Sequence, residues 1–451
     1  MAGKGSGIHP LILPDWAERM DATNRVWVRL NDVCAEIVDC PHSTPTLVEH
    51  GDFYIARTQD FREGTLDLTE AARVDRDTFS ERSKRVTPSH GDLIYSREGA
   101  YHGIAAEIPQ RAKVCLGQRT VLIRPDTTKA NFRFLRYWLN SDRVRSYVAG
   151  HRAGSAAPRI NLPTIRGVPV ALPPLAEQKA IAAVLGALDD KIELNRRTNA
   201  TLEAMARALF RSWFVDFDPV RAKLNGRNPI GLDSELAALF PTKFQESPIG
   251  LVPKGWKVER FDAHITAERG LSYKGEGLRD DGSGLPMHNL NSIYEGGGYK
   301  HEGIKFYAGE YREKHLVEPG DMIVTNTEQG FDHLLIGHAA IVPKCYGPKG
   351  IYSHHIYRVR HKPASPFSPH YLVELFNNRR WHHWISGFSN GTTINMLPMD
   401  ALEMPMLVVP PVALVKHFTA LAEAAHLQVE DNKQQSRTLA TLRDTLLPKL
   451  L

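Results

Sequence analysis

The chain has 451 residues, enough for two or three domains that each bury a core of their own. Its 42% hydrophobic and 24% charged content is that of an ordinary folded protein, and its net charge of +5 is too small to demand a polyanionic partner by itself. It has no 18-residue apolar run to cross a bilayer, and its four cysteines lack any Cys-x-x-Cys spacing, so reduced thiols, no membrane partner and a cytoplasmic location are expected.

Residues 1–25 form an N-terminal extension, mixed in character, interrupted by Gly and Pro, and without the apolar core of a signal peptide. Residues 26–171 follow as a first globule of short strand-like runs separated by turn signals: Val26-Trp27-Val28, Tyr54-Ile55-Ala56, Asp92-Leu93-Ile94-Tyr95 after Gly91, and Thr120-Val121-Leu122-Ile123. One helix, over residues 132–149, interrupts them. Seven arginines (Arg133, Arg136, Arg143, Arg145, Arg152, Arg159 and Arg166) occupy one window with Asp142 as the only acid between them. Arginine forks onto phosphates and guanine edges in a way lysine does not, so the window points to nucleic acid.

The next segment, 172–216, opens with Leu172-Pro173-Pro174-Leu175-Ala176-Glu177-Gln178 and is free of Pro through residue 214, the signature of a long helix launched by a proline pair. Ile181, Leu185, Leu188, Ile192, Asn195, Asn199, Leu202, Ala206, Leu209 and Trp213 step by four and three, a narrow seam that wants a partner helix. A linker rich in Pro, Gly, Asp and Asn occupies 217–252. Residues 253–409 then repeat the first globule. Gly320-Asp321-Met322-Ile323 answers Gly91-Asp92-Leu93-Ile94, Ala339-Ala340 answers Ala105-Ala106, a helix over 369–384 answers that over 132–149, and Thr393-Ile394-Asn395-Met396-Leu397-Pro398 answers Arg159-Ile160-Asn161-Leu162-Pro163.

The C-terminal segment, 410–451, follows a second proline pair. There Phe418, Leu421, Ala425, Gln428, Asn432, Gln435, Leu439, Leu442 and Leu446 carry a second seam. Asn432 corresponds to Asn195 when the proline pairs are superposed, since 410 − 173 and 432 − 195 are both 237. Matched polar residues on apolar seams fix register and orientation, so the two helices are expected to lie against each other. The fold class is therefore α+β, with two similar mixed α/β globules, two long antiparallel helices and a pseudo-twofold internal repeat.

The repeated plan resembles the specificity subunit of type I restriction-modification enzymes over nearly the whole chain. The residues that carry the likeness are the Leu172 to Gln178 helix entry, the exit Arg211-Ser212-Trp213-Phe214-Val215-Asp216-Phe217-Asp218-Pro219-Val220, and Gly91-Asp92-Leu93-Ile94. The resemblance implies two target recognition domains, each reading half of a bipartite site on double-stranded DNA, separated by the conserved helices. It also implies that the helices dock two methyltransferase subunits, that restriction subunits join them, and that S-adenosylmethionine, ATP and Mg belong to those partners. The second helix entry, Pro410-Pro411-Val412-Ala413-Leu414-Val415, lacks the Glu-Gln pair of the first.

Catalytic signatures are missing. The chain has no Asn/Asp-Pro-Pro-Tyr/Phe element for amine methylation and no Gly-x-x-x-x-Gly-Lys-Ser/Thr phosphate loop. His354-His355 and His382-His383 invite a zinc reading, but adjacent histidines on a strand face opposite ways, one inward and one outward, and no further ligand follows at the right spacing. The expectation is a non-catalytic DNA-binding subunit without a metal or cofactor of its own. The alternative is a self-contained DNA-processing enzyme with a degenerate site.

Base reading needs donors and acceptors on loops at one edge of each globule. In the first globule the candidates are Ser96, Arg97, Tyr101 and His102 after the Gly91 strand, Gln118 and Arg119 on the next loop, and Arg152, Ser155 and Arg159 before the helix entry. In the second they are Asn326, Thr327, Gln329 and Phe331, then His354 and His355, then Ser389, Asn390 and Thr392. The outer helix face, with Glu177, Lys179, Lys191, Arg196 and Arg207, is the expected dock for catalytic subunits.

Overall fold

The computed structural model describes residues 25–62, 64–99, 102–151, 159–329, 332–391 and 394–451. The chain divides into two units, residues up to 193 with 437–451 and residues 194–436. The boundaries cut both long helices, so part of each helix is built into each unit.

In the first unit β1 (Val26–Arg29) and β2 (Cys34–Asp39) precede β3 (Leu93–Ser96), β4 (Ala105–Glu107) and β5 (Thr120–Pro125). The sheet order β2-β5-β3-β4 continues into two two-residue strands, with β2, β5, β3 and β4 joined in antiparallel pairs. Two helices lie against it, α1 (Phe132–Asn140) and α2 (Asp142–Gly150). The single helix expected over 132–149 is thus two, because Ser141 leaves the helical conformation and caps α2 by accepting from Val144 N–H. Strand β6 (Pro169–Leu172) returns to pair with β1 and delivers the chain to α3 (Leu175–Phe210). Gln178 explains the Glu-Gln motif. Its buried amide accepts from Asn131 N–H at 2.9 Å and donates to Lys129 O and Pro173 O, locking the start of α3 to the start of α1.

The second unit repeats this plan. It contains β7 (Lys257–Arg260), β8 (Ile265–Arg269), β9 (Met322–Thr325), β10 (Thr327–Gln329), β11 (Ala339–Ile341) and β12 (Ile356–His361), with sheet order β8-β12-β9-β11. Then come α4 (Pro369–Asn377), α5 (Arg379–Ser386), β13 (Ile394–Met396), β14 (Met406–Val409) and α6 (Val412–Leu450). Asn378 splits the second helical stretch where Ser141 splits the first, and 378 − 141 is again 237. Strand β14 pairs with β7 as β6 pairs with β1.

Two side-chain devices recur in both units. Asp92 accepts two bonds from Arg124, at 2.8 Å each, and Asp321 accepts two from Arg360, at 2.7 and 2.6 Å. The Gly-Asp-aliphatic motif is therefore a turn at positive φ, 99° at Gly91 and 93° at Gly320, followed by a carboxylate that ties two strands together. Asn140 clamps both backbone groups of Ala105, at 2.8 Å each, and Asn377 clamps those of Ala339, at 2.9 and 3.1 Å.

The helices α3 and α6 run antiparallel. Asn195 Nδ2 donates to Gln435 Oε1 at 2.9 Å and Asn432 Nδ2 donates to Asn199 Oδ1 at 2.8 Å, so the matched asparagines form one buried polar layer. The seam of α6 differs from the sequence expectation. Leu421 and Leu442 are 50% and 46% exposed, while Val415, Phe418, Ala422, Val429 and Asn432 are buried, because over a long helix the inward face drifts against a strict seven-residue repeat. The exit motif after α3 turns through a wider helical turn over Arg211–Val215 and a left-handed Phe217 (φ 56°). This brings Phe210, Trp213 and Phe214 into an aromatic core with Phe240, Tyr371 and Phe418. Val220 and Phe240, from the segment read as a linker, are buried in that core. Among the described residues no helix is long and apolar enough to cross a membrane.

Candidate nucleic-acid interface

The three loops singled out in each half of the sequence converge. In the first unit Arg97 N–H donates to Arg119 O at 3.0 Å and Ile160 N–H donates to Arg97 O at 2.8 Å. Glu98 forms an isolated bridge with Arg159, and its carboxylate lies 3.6 Å from Arg119 Nε. In the second unit Asn326 N–H donates to His355 O at 3.0 Å and Leu397 N–H donates to Asn326 O at 2.8 Å. The end of the central strand is thus held between the neighbouring loop and the segment leading to the long helix, in the same way twice. The register makes Asn326 the counterpart of Arg97, and His354 and His355 the counterparts of Gln118 and Arg119.

Individual residues divide into available and consumed. Ser96 is 0% exposed, with its hydroxyl against Glu98 O, and is removed from the set of base readers. Arg97 is also corrected: its guanidinium donates to Asp39 at 2.6 Å and is mostly covered. His102 Nδ1 lies 2.7 Å from Gly99 O and closes a turn. Gln118 and Arg119 are exposed, Gln118 reaching Thr44 Oγ1 at 3.2 Å, and Arg119 adopts a left-handed φ of 69°. Arg159 is exposed. Tyr101, Arg152, Ser155, Phe331 and Thr392 lie outside the described residues.

In the second unit Asn326 and Thr327 are buried and corrected to framework roles. Asn326 Nδ2 donates to His354 O at 3.0 Å, and Thr327 Oγ1 lies 2.9 Å from His355 Nδ1. The two histidines occupy a turn rather than a strand, with rings 3.9 Å apart, so they do not face opposite ways. Burial, then His354 and Arg269, hold His355 below the usual histidine range and so neutral. His382 and His383 sit on α5, where His382 stacks on His338 at 3.8 Å. Gln329 and Asn390 are exposed, and Ser389 Oγ lies 3.3 Å from His333 Nε2.

The arginine window is largely structural at its ends. Arg133 forks onto Asp190 at 2.8 Å, Arg136 pairs with Asp189 at 2.6 Å and Glu107 at 3.0 Å, and Arg166 donates to Ile37 O. Arg143, Arg145 and Arg159 remain exposed. Sequence reasoning missed Asp39, Glu98 and Glu328, which hold the junctions together, and Arg269, which is exposed and donates to His354 O at 3.2 Å. Glu328 was detectable only in three dimensions: its carboxylate accepts the backbone N–H groups of Leu334, Leu335 and Ile336. Among the described residues no group of three or more His, Cys, Asp or Glu stands close enough to hold a metal ion.

Residues 26–204 match the family described as the type I restriction modification DNA specificity domain. Over 425 residues, 92% of this chain and 86% of the relative, the chain is 24% identical to the type I restriction enzyme MjaIX specificity subunit of Methanocaldococcus jannaschii. Over 156 residues, 33% of each chain, it is 34% identical to the HindI specificity subunit of Haemophilus influenzae. The solved structure of the type I restriction-modification S subunit from M. genitalium has the same fold, with a TM-score of 0.60 over 95% of this chain and 96% of that chain at 12% identity. The chain is similar to type I specificity subunits, and residues 26–204 match their DNA specificity domain. Both units contain a rigid junction from which exposed polar side chains project. The internal hydrogen bonds of each unit fix the junction backbone. They leave Gln118, Arg119, Arg159, Gln329 and Asn390 at its surface.

Proposed function

We propose that the two units read the two halves of a bipartite target on double-stranded DNA, and that the chain delivers two methyltransferase subunits, with restriction subunits joining them, to that target. The single observation that carries the reading is the junction built twice on equivalent positions, because two similar reading heads in one chain suit a target of two half-sites. The proposed dock is the outward side of α3. Lys179, Lys191, Arg196 and Arg207 are exposed there with Glu177 partly so, and the apolar Val184, Leu194 and Met205 are exposed among them. S-adenosylmethionine, ATP and Mg are assigned to the partners, and the chain itself to a non-catalytic role.

The test is to map methylated adenines in the source genome with the gene intact, deleted and restored. The reading expects a split motif that disappears on deletion and returns on restoration. A motif indifferent to the gene, or methylation or cleavage of DNA by the purified chain alone, would overturn it.

A further inference from the structure

The ribbon formed by β10 and β13 in the second unit is inside out. Its pairs are Thr327 with Met396, Glu328 with Asn395, and Gln329 with Ile394. Cross-strand partners share a face and alternate along the strand, so Glu328 and Asn395 point one way and the other four residues point the other way. The polar pair is the buried one, with Asn395 at 3% and Glu328 at 9% exposure. Of the other face, Ile394 is 59% and Met396 38% exposed, with Gln329 exposed beside them, while Thr327 at its inner end is covered at 2% exposure. A half-buried sheet ordinarily does the reverse, and a one-residue slip would restore that pattern. The three backbone N–H groups on the Glu328 carboxylate prevent the slip, so the apolar face is held outward.

The surroundings name the occupant. Arg269, exposed, places its guanidinium 3.6 Å from Met396 Sδ. The ribbon's own acid, Glu328, is turned inward, so its outward face presents an amide, two apolar side chains and a neighbouring cation. That is the chemistry of a DNA major groove, which admits a two-stranded ribbon, offers adenine N6 and N7 to a glutamine amide, and presents thymine methyl groups to apolar side chains. We infer that this ribbon enters the major groove of an A·T-containing half-site, Gln329 reading adenine and Ile394 and Met396 contacting thymine methyl groups. The inference rests on the DNA-reading role proposed above and adds the base pair. Among the described residues of the first unit, the Glu98–Arg159 bridge occupies this place, with Arg119 and Gln118 exposed beside it.

The test is selection of duplexes from a random pool by the full chain, followed by binding of the selected site with thymine replaced by uracil at single positions. Wild type should enrich two half-sites, and in one of them loss of a contacted methyl group should weaken binding roughly fourfold. Gln329→Ala should lower the preference for adenine at one position of that half-site roughly tenfold. Ile394→Ala should erase the thymine-over-uracil preference there, while Ile394→Val retains it. All three changes are on the surface, so an unchanged thermal midpoint is expected and serves as the folding control. If uracil is accepted everywhere, if the variants relax both half-sites equally, or if they bind DNA normally but lose a methyltransferase subunit, the ribbon assignment falls while the DNA-reading role stands. A wild-type chain that enriches no sequence overturns both.

Discussion

Asn140 and Asn377 do equivalent work, each satisfying one backbone N–H and one C=O at the start of a strand whose neighbours are all buried. Removing the Asn377 amide leaves the buried Ala339 N–H without its partner and takes one of two donors from Ala339 O, which keeps the Gly298 N–H at 2.9 Å. Asn377→Ala should therefore destabilise the second unit by roughly 3 kcal/mol, read as a lowered denaturant midpoint with an unchanged slope. The arginines of the first unit separate by the same criterion of what their donors already hold. Arg145 is exposed and available to a phosphate, so Arg145→Ala should weaken binding to all sequences and reduce the salt slope by about one. Arg97 is spent on Asp39, and its loss would be felt as stability. Residue chemistry alone did not separate these arginines, because an arginine facing an aspartate 58 positions away in the chain has the same local sequence signature as one facing solvent.

At the scale of elements, the proline pairs and the Asn195–Asn432 match were legible because helix launch and seam periodicity are local properties. The splits at Ser141 and Asn378 and the drift of the α6 seam were not, since both follow from how the helices pack rather than from their own patterns. The same holds for the ribbon of β10 and β13, whose alternation by itself predicts Ile394 inward. The contact of α4 with α3 also carries a charge the sequence does not reveal. Burial pushes the Glu374 carboxyl up to about 7, with Arg207 lowering it and Glu203 raising it. A carboxyl whose folded value exceeds its unfolded one contributes stability below the unfolded value and loses it as pH rises through the folded one. The second unit should therefore weaken between about pH 4.5 and 7 from this group. Glu374→Gln should abolish that loss, gaining roughly 3 kcal/mol at pH 8 and little at pH 4.5. Thermal unfolding across that range checks it, and a gain independent of pH would assign the effect to packing instead.

For the molecule as a whole, the sequence disclosed a unit written twice because the recurring elements keep offsets between 229 and 237, but it did not disclose which recurring residues serve the fold. The Gly-Asp turn, the Gln178 lock and the aromatic exit motif are framework, and the parts that differ between the copies are the surface residues of the junctions. On the bipartite reading proposed above, a fixed frame with variable tips leaves the long helices as the element expected to set how far apart the two half-sites may lie. Helices of 36 and 39 residues pass from one unit into the other. Removing residues 200–206 from α3 and the facing 425–431 from α6 deletes one heptad from each and spares Asn195, Asn199 and Asn432. The paired numbers keep a constant sum, since 200 + 431 and 206 + 425 are both 631, close to the 630 and 631 of the observed Asn195–Gln435 and Asn199–Asn432 contacts. Seven residues rise about 10 Å and return the helix face to within about 20°. The shortened chain should therefore fold, keep both half-site sequences, and select a spacer shorter by up to about three base pairs at 3.4 Å each. Selection from a random duplex pool reads sequence and spacer together, and intact half-sites at the original spacing would show that the helices do not set the distance.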